Sequence, residues 1–413
     1  MFLQRPNEPN QPRQILGSGT DKPKKRIRIG IDGSSILPRR SGIGHYTSQL
    51  LRHLAQVDSI NQYVVFFNSF RQPMQHEPWM DSANFSVRRR RIPGPALLFA
   101  WRWLHWPAVE RFVGNVDMFH SPASYIPPQR RGARVTTIHD LYFMRDPEAC
   151  EMLGGRYLLA TLPRWLREMD RIIAISQSTR DDLIQIFGLQ PERITVTYLG
   201  VEPSFGRVED PQLCADVRAR HHLPDRYILF VGTIEPRKNV ERLIEAYATV
   251  RRERPDAPPL VIVGGRGKGA DRVERAVASL GLSQCVIFAG YVERDDLPAI
   301  YSAAQLFVLP SLYEGFGLPV LEAMACQVPV VAGDTSSLRE IVADRGVLVD
   351  PMRPSKIAEG IVHVLTDEGL RAHCVERGLE FARQMTWERC ARQTLAVYED
   401  VAAQTASLRK PLS

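Results

Sequence analysis

LFVLPSLYEGFGLPVLEAMACQVPVVAG, residues Leu306–Gly333, decides the reading of this chain. LFVLPS is an apolar run of strand length. Gly315 and Gly317 then mark a tight turn where the backbone must come close to something. Pro319 suits the first position of a helix, where its missing N–H would be unpaired in any case. Leu321, Met324 and Ala325 give that helix one apolar side. PVVAG closes the unit as a second buried strand.

Two carboxylates flank the turn, Glu314 before it and Glu322 in what reads as the first turn of the helix. The backbone N–H groups of Gly317 and Leu318 point out of the helix start, where an anion is favoured. A phosphate-bearing ligand there would have a carboxylate on each side for its hydroxyls. An isolated glutamate pair would read as one residue favouring the helix dipole and one solvated, but the whole string is more specific. It resembles the signature of the retaining family-4 glycosyltransferases, enzymes of GT-B fold that transfer sugars from nucleotide-sugars, and their Glu-x7-Glu element matches Glu314 and Glu322.

At 413 residues the chain is too long for one ordinary core, and two domains of roughly 200 residues are expected. A composition of 44% hydrophobic and 24% charged residues is that of a soluble globular protein. Six scattered cysteines with no paired spacing argue against a disulfide framework or a zinc site. No apolar run is long enough to span a bilayer, and no signal-peptide core is evident. The net charge of +7 implies an anionic partner without choosing one.

Residues 1–26, rich in Pro, Asn, Gln and Lys, read as a disordered leader. A first doubly wound parallel sheet is expected over 27–205, with strands at 27–36, 63–67, 118–122, 134–140, 171–176 and 194–201 and helices between. Residues 206–226 are polar and read as the interdomain connection. A second sheet is expected over 227–380, with strands at 227–234, 260–265, 286–292, 306–311, 329–333 and 346–351. A terminal helix over 381–405 is suited to cross back to the first domain. The fold class is α/β, two Rossmann-like domains facing across a cleft.

The remaining candidates sit at strand ends. LPRRSGIGHY is a glycine turn with Gly42 and Gly44, leading into an amphipathic helix. GTIEPRKNV (232–240) sets Arg237 and Lys238 after the first strand of the second domain, where ligands bind in such sheets. Arginine grips phosphate bidentately and lysine is a compact charge, so the pair can neutralise a leaving diphosphate. Asn239 is expected to cap the next helix. Gly264, Gly265 and Arg266 after one strand, and Tyr291 and Val292 after the next, are the loops expected to read the nucleotide. TTIHDL (136–141) ends a first-domain strand with His139 and Asp140, and His120 ends another and reads as structural.

Carried onto these positions, the resemblance implies that Gly42 and Gly44 lie against the donor diphosphate and that His139 contacts the transferred sugar. It implies Glu314 on the sugar hydroxyls and Glu322 on the ribose. It also implies front-face substitution with retention, without a metal. No D-x-D motif is evident and no cofactor is expected beyond the nucleotide-sugar substrate. SGIGHYT, TIHDL, GTIEPRKN and SLYEGFGLP together are most similar to bacterial mannosyltransferases that build O-antigen or exopolysaccharide on a lipid carrier. That implies GDP-mannose as donor, with a UDP-sugar as the alternative, and a lipid-linked saccharide acceptor.

One segment, RRRRIPGPALLFAWRWLHWP (88–107), sets four arginines beside Trp-rich apolar surface, which suits an anionic membrane interface. A core helix with a solvated basic edge is the plain alternative. The expected location is cytoplasmic, peripheral on the cytosolic face of the inner membrane. No RNA-binding signature is present, and nucleic acid is not an expected partner. A non-catalytic sugar-nucleotide-binding protein is the other reading, and the joint presence of His139, Arg237, Lys238, Glu314 and Glu322 argues against it.

Overall fold

The computed structural model describes residues 26–37, 42–145 and 155–408, without the side chains of 406–408. The expected leader, apart from Arg26, lies outside the described residues.

Two parallel sheets carry the molecule. The first contains β1 (Arg28–Asp32), β2 (Gln62–Asn68), β3 (Phe85–Arg90), β4 (Met118–Ser121), β5 (Ala133–Ile138), β6 (Arg171–Ala174) and β7 (Ile194–Val196), in the spatial order β3-β2-β1-β4-β5-β6-β7. The second contains β8 (Tyr227–Val231), β9 (Leu260–Val263), β10 (Val286–Gly290), β11 (Ala304–Leu309), β12 (Val330–Gly333) and β13 (Val347–Val349), in the order β10-β9-β8-β11-β12-β13. Every strand pair is parallel. Central strands such as YILFV and LVIV are buried at every position, as strands covered by helices on both faces must be. In each sheet the order reverses beside its first strand, between β1 and β4 and between β8 and β11. Loops leaving the carboxyl ends there form a crevice.

The helices used below are α1 (Gly42–Val57), α2 (Gly155–Glu168), α3 (Gln177–Phe187), α4 (Val240–Glu253), α5 (Leu318–Ala325) and α6 (Trp387–Leu408). Residues 206–226 hold one helix, Pro211–Arg220, and no strand.

Strand β3 has no counterpart in the sequence reading. Only Phe85 of its six residues is buried, so an edge strand ending in Arg88, Arg89 and Arg90 carries no apolar run to betray it. Its arginines are exposed. The aromatic half of 88–107 divides: Leu97 and Trp101 pack with Val64, Phe66, Val109 and Phe112, while Phe99, Trp103, Leu104 and Trp106 stay exposed.

The closing helical run is also split. One helix ends at Gln384 and α6 starts at Trp387. Between them Met385 accepts a hydrogen bond from the Val201 amide at 2.9 Å, and Thr386 bridges Val201. Gly200 packs so closely there that a Cβ would lie 2.1 Å from the Trp387 nitrogen. Helix α6 then packs along α1 in the first domain, and Tyr398 reaches His120 at 2.6 Å. It continues to Leu408, three residues beyond the expected end at 405.

Candidate active site

The crevice of the second sheet gathers the cations and one of the carboxylates. The loop after β8 brings Arg237 and Lys238, and the loop after β11 brings Glu314. Lys238 donates to Glu314 Oε1 at 2.7 Å and Arg237 to Oε2 at 2.8 Å. Ser311 adds a third hydrogen bond at 2.7 Å to Oε1. Arg237 also bonds Glu235 at 2.6 Å and the Tyr313 carbonyl at 3.2 Å. Glu314 is 6% and Lys238 7% exposed, so neither charge would persist there alone. Burial pushes the Glu314 carboxyl up, but Lys238 and Arg237 overcome it and hold it at about 2. Burial likewise opposes the charge on Arg237, and Glu314 more than restores it, so the guanidinium stays charged.

The turn itself is anchored by its backbone. The Glu314 amide donates to Ser336 Oγ at 2.8 Å, and its carbonyl accepts from Ser337 Oγ at 2.9 Å. Gly317, with φ +104°, sits at the N-cap of α5, a conformation that favours glycine. Leu318 follows as the first helical residue and Pro319 as the second. Glu322 is therefore the fifth residue of α5, not part of its first turn. It is buried, and it accepts hydrogen bonds from Arg294 at 2.8 Å and Tyr301 at 3.1 Å.

His139 comes to this turn from the end of β5. A Cβ on Gly315 would lie 2.2 Å from the His139 carbonyl oxygen, so only glycine lets the two loops touch. His139 is half-buried, with Nε2 2.7 Å from the Pro122 carbonyl and its ring edge-on to Tyr46 at 4.9 Å. A carbonyl only accepts, so Nε2 carries the proton. Burial lowers the His139 pKa, partly countered by the Pro122 carbonyl and Asp140. The neutral ring leaves Nδ1 as an acceptor. Asp140 accepts from the Tyr142 amide at 3.1 Å. His120 is fully buried between Tyr398 and Thr137, and burial holds its pKa down at about 3. Thr137 also meets Tyr46 at 3.0 Å, which links α6 to the ring against His139.

Two other expectations, for Asn239 and Gly44, need correction. Asn239 starts α4 but does not cap it with its side chain; held at φ +59°, it spans to the Pro310 and Pro351 carbonyls at 3.0 and 2.7 Å. Gly44 is not in a turn: α1 begins at Gly42, which is exposed, and Gly44 is buried inside it. Residues 38–41 of that turn lie outside the described residues. Gly264, at φ +144°, would drive a Cβ to 2.1 Å from the Gly232 carbonyl oxygen, so it joins the β8 and β9 loops. Gly265 borders open space. Arg266 is tied to Asp271 and Glu274 on the following helix. Tyr291 is 71% exposed, and Val292 is buried.

Sequence reading missed the long-range partners. Tyr313 donates to Asp182 on α3 at 2.7 Å. Glu340 accepts from the Gln177 and Ser178 amides at the start of α3, each at 3.0 Å, and from Tyr198 at 2.7 Å. Arg294 joins Glu322 to Glu202. Only Ser311 and Tyr313 stood inside the quoted stretch.

Known proteins resemble this chain in sequence and in fold. The family described as Glycosyltransferase Family 4 matches residues 40–205, and that described as Glycosyl transferases group 1 matches 216–381. O-antigen chain mannosyltransferase B of Escherichia coli is 34% identical over 372 residues, 87% of this chain and 96% of that protein. D-inositol 3-phosphate glycosyltransferase of Salinispora tropica is 32% identical over 345 residues, 77% of this chain and 70% of that one. Among solved structures, sucrose-phosphate synthase of Thermosynechococcus elongatus superposes with a TM-score of 0.74 at 24% identity, over 92% of this chain and all of that one.

Proposed function

We infer the reaction from one premise: the chain belongs to glycosyltransferase family 4 and has the GT-B fold. It transfers a hexose from a nucleotide-sugar, mannose from GDP-mannose, onto a lipid-linked saccharide in surface polysaccharide synthesis. The observation that carries the transfer is Glu314, clamped by Arg237 and Lys238, on a turn that touches the backbone of His139 through Gly315. The relative named as an O-antigen chain mannosyltransferase supports the choice of mannose and of polysaccharide.

In this reading the diphosphate lies on the start of α5, over Gly317 and Leu318. Lys238 has three donors and the Arg237 guanidinium five, and Glu314 occupies only part of each set. The remainder can meet phosphate oxygens as charge grows on the leaving group, which supports a transfer without metal. Glu314 and the Nδ1 of His139 accept from sugar hydroxyls, and Glu322 takes the ribose. Gly265 and the backbone of Tyr291 and Val292 line the base. Both glutamates are held by neighbours rather than aimed as nucleophiles, which favours front-face substitution. The bond from the anomeric carbon to diphosphate oxygen breaks, the acceptor oxygen bonds that carbon on the same face, and its proton passes to the departing oxygen.

Thermal denaturation with GDP, UDP, ADP, GDP-mannose and UDP-glucose tests the donor. A ligand at a hundredfold excess over its dissociation constant raises stability by about 2.7 kcal/mol. A selective GDP shift, followed by mannose transfer to a lipid-linked acceptor, is expected. A selective UDP shift would move the donor to a UDP-sugar, and no shift with any nucleotide would overturn the enzyme reading.

A lipid-linked acceptor requires approach to a bilayer. Among the described residues no helix is long and apolar enough to cross a membrane. The docking face is the surface of exposed Phe99, Trp103, Leu104 and Trp106, with Arg102 4.8 Å from the Trp103 ring and Arg111 5.5 Å from that of Trp106. The arginines of β3 precede it in sequence. Aromatic and basic groups together suit an anionic headgroup region. Replacing Arg88, Arg89, Arg90 and Arg91 with Ser should release the protein from vesicles containing phosphatidylglycerol; unchanged binding would sink the membrane role of that segment.

A further inference from the structure

Glu322 does not stand alone. Its two oxygens receive one hydrogen bond each, from Arg294 and from Tyr301. A carboxylate has about four acceptor positions, so each oxygen keeps room for one more donor. Two such oxygens suit a vicinal pair of hydroxyls. Arg294, in turn, is held on three sides: to Glu322, to Glu202 and against the Phe205 ring at 4.7 Å. Glu202 also meets His45 Nε2 at 3.3 Å, in the first turn of α1. A continuous line of ionisable groups thus runs from the nucleotide side of the second domain, through Glu202 in the loop after β7, to His45 at the start of α1.

We propose that Arg294 is a positioning residue for nucleotide binding, fixing the Glu322 carboxylate for the ribose diol and tying it through Glu202 and His45 to helix α1. This rests on the reading of Glu322 as the ribose contact. Burial favours the uncharged form of Glu322, and Arg294 opposes that tendency; without the guanidinium the carboxyl would lose its fixed direction, and once protonated would turn one acceptor oxygen into a donor. Only a planar fork bonds two carboxylates from separate nitrogens while stacking on a ring, so lysine would replace it in part. Nothing local in VERDDL (292–297) announces this role, because both carboxylates are distant in sequence.

The test compares ribonucleotides with their 2′,3′-dideoxy counterparts. Binding of GDP and UDP, and of each dideoxy form, is measured by calorimetry on the full chain and on the Arg294→Ala, Arg294→Lys and Glu202→Gln variants, each checked by thermal melt. The parent should prefer the ribose form by at least about tenfold, as hydrogen bonds to a charged group do. Arg294→Ala should shrink the preference to below about threefold, Arg294→Lys and Glu202→Gln should fall between, and in transfer assays the donor KM should move more than kcat. A merely structural role would weaken both forms equally. If Arg294→Ala does not fold, the lysine and glutamine variants decide alone. A parent that binds neither nucleotide fails the proposed function and this inference together. A parent that binds without ribose preference removes the ribose role of Glu322 and this inference with it. A parent that discriminates, with variants that discriminate equally, overturns this inference only.

Discussion

The two sheets repeat one strand order, yet their crevices are built differently. In the second domain the crevice is packed with charge: Glu314 with three donors, Glu322 with two, and both charges on Arg237 and Lys238 answered nearby. In the first domain His139 rests on one carbonyl and the edge of one ring. A dense ionic cluster holds its shape before a ligand arrives, which suits the nucleotide-sugar. A sparsely tethered histidine suits a surface that must accept saccharides. The domain with more internal bonds should therefore show coupled losses of stability and activity, and the other should lose activity alone.

The sharpest way to break that contrast is Glu314→Gln. It leaves the buried Lys238 and the half-buried Arg237 beside each other, and removing one partner of a buried ion pair costs about 3–5 kcal/mol. Transfer should fall by about 10²–10³-fold and the melting temperature should drop with it. Loss of activity at an unchanged melting temperature would show that the cluster is not what shapes the crevice. His139→Ala should reduce kcat by about 10²-fold with little change in melting temperature; a coupled loss of stability would erase the distinction between the domains.

Acid should divide the two regions by pH. Glu314 titrates at about 2 in the fold, so its contribution is whole above its unfolded value of 4.5 and is lost as pH falls toward 2. The His120 pKa is lowered to about 3 from 6.5, so the unfolded chain takes up its proton first. His139 is shifted in the same direction. Their penalty is absent above pH 6.5 and grows as pH falls below it. Melting temperature should hence decline in two stages, the first from the histidines of the first domain. A flat profile from pH 7 to 5 would mean those histidines titrate normally. The smallest effect belongs to the exposed aromatics: Trp103→Ser should change stability by no more than about 0.5 kcal/mol, read by denaturant unfolding.

Much of the fold was legible because parallel strands buried on both faces are written as short apolar runs, and the carboxyl-end loops are fixed by strand order. Glu314, Arg237 and Lys238 were each legible from their places at strand ends, but their pairing appears only once β8 and β11 are seen to be neighbours. The sequence was silent where meaning is long-range or one-sided. Strand β3 hides because an edge strand with one buried residue looks like a charge run. The break before Trp387 hides because its cause, Gly200, is far away in the chain. Arg294 looks like any exposed loop arginine until Glu202 and Glu322 are in place.

That contact at Gly200 has a mechanical meaning. The chain crosses between domains twice, once after β7 and once before α6, and the crossings are stitched together where Val201 meets Met385 and Thr386. Two straps fastened at a single point make a pivot, and any opening of the cleft is a swing about it. Displacement grows with distance from the pivot. Glu202, one residue beyond the stitch, bonds Arg294 there, so the ionic line to Glu322 is fixed at the axle rather than at the door.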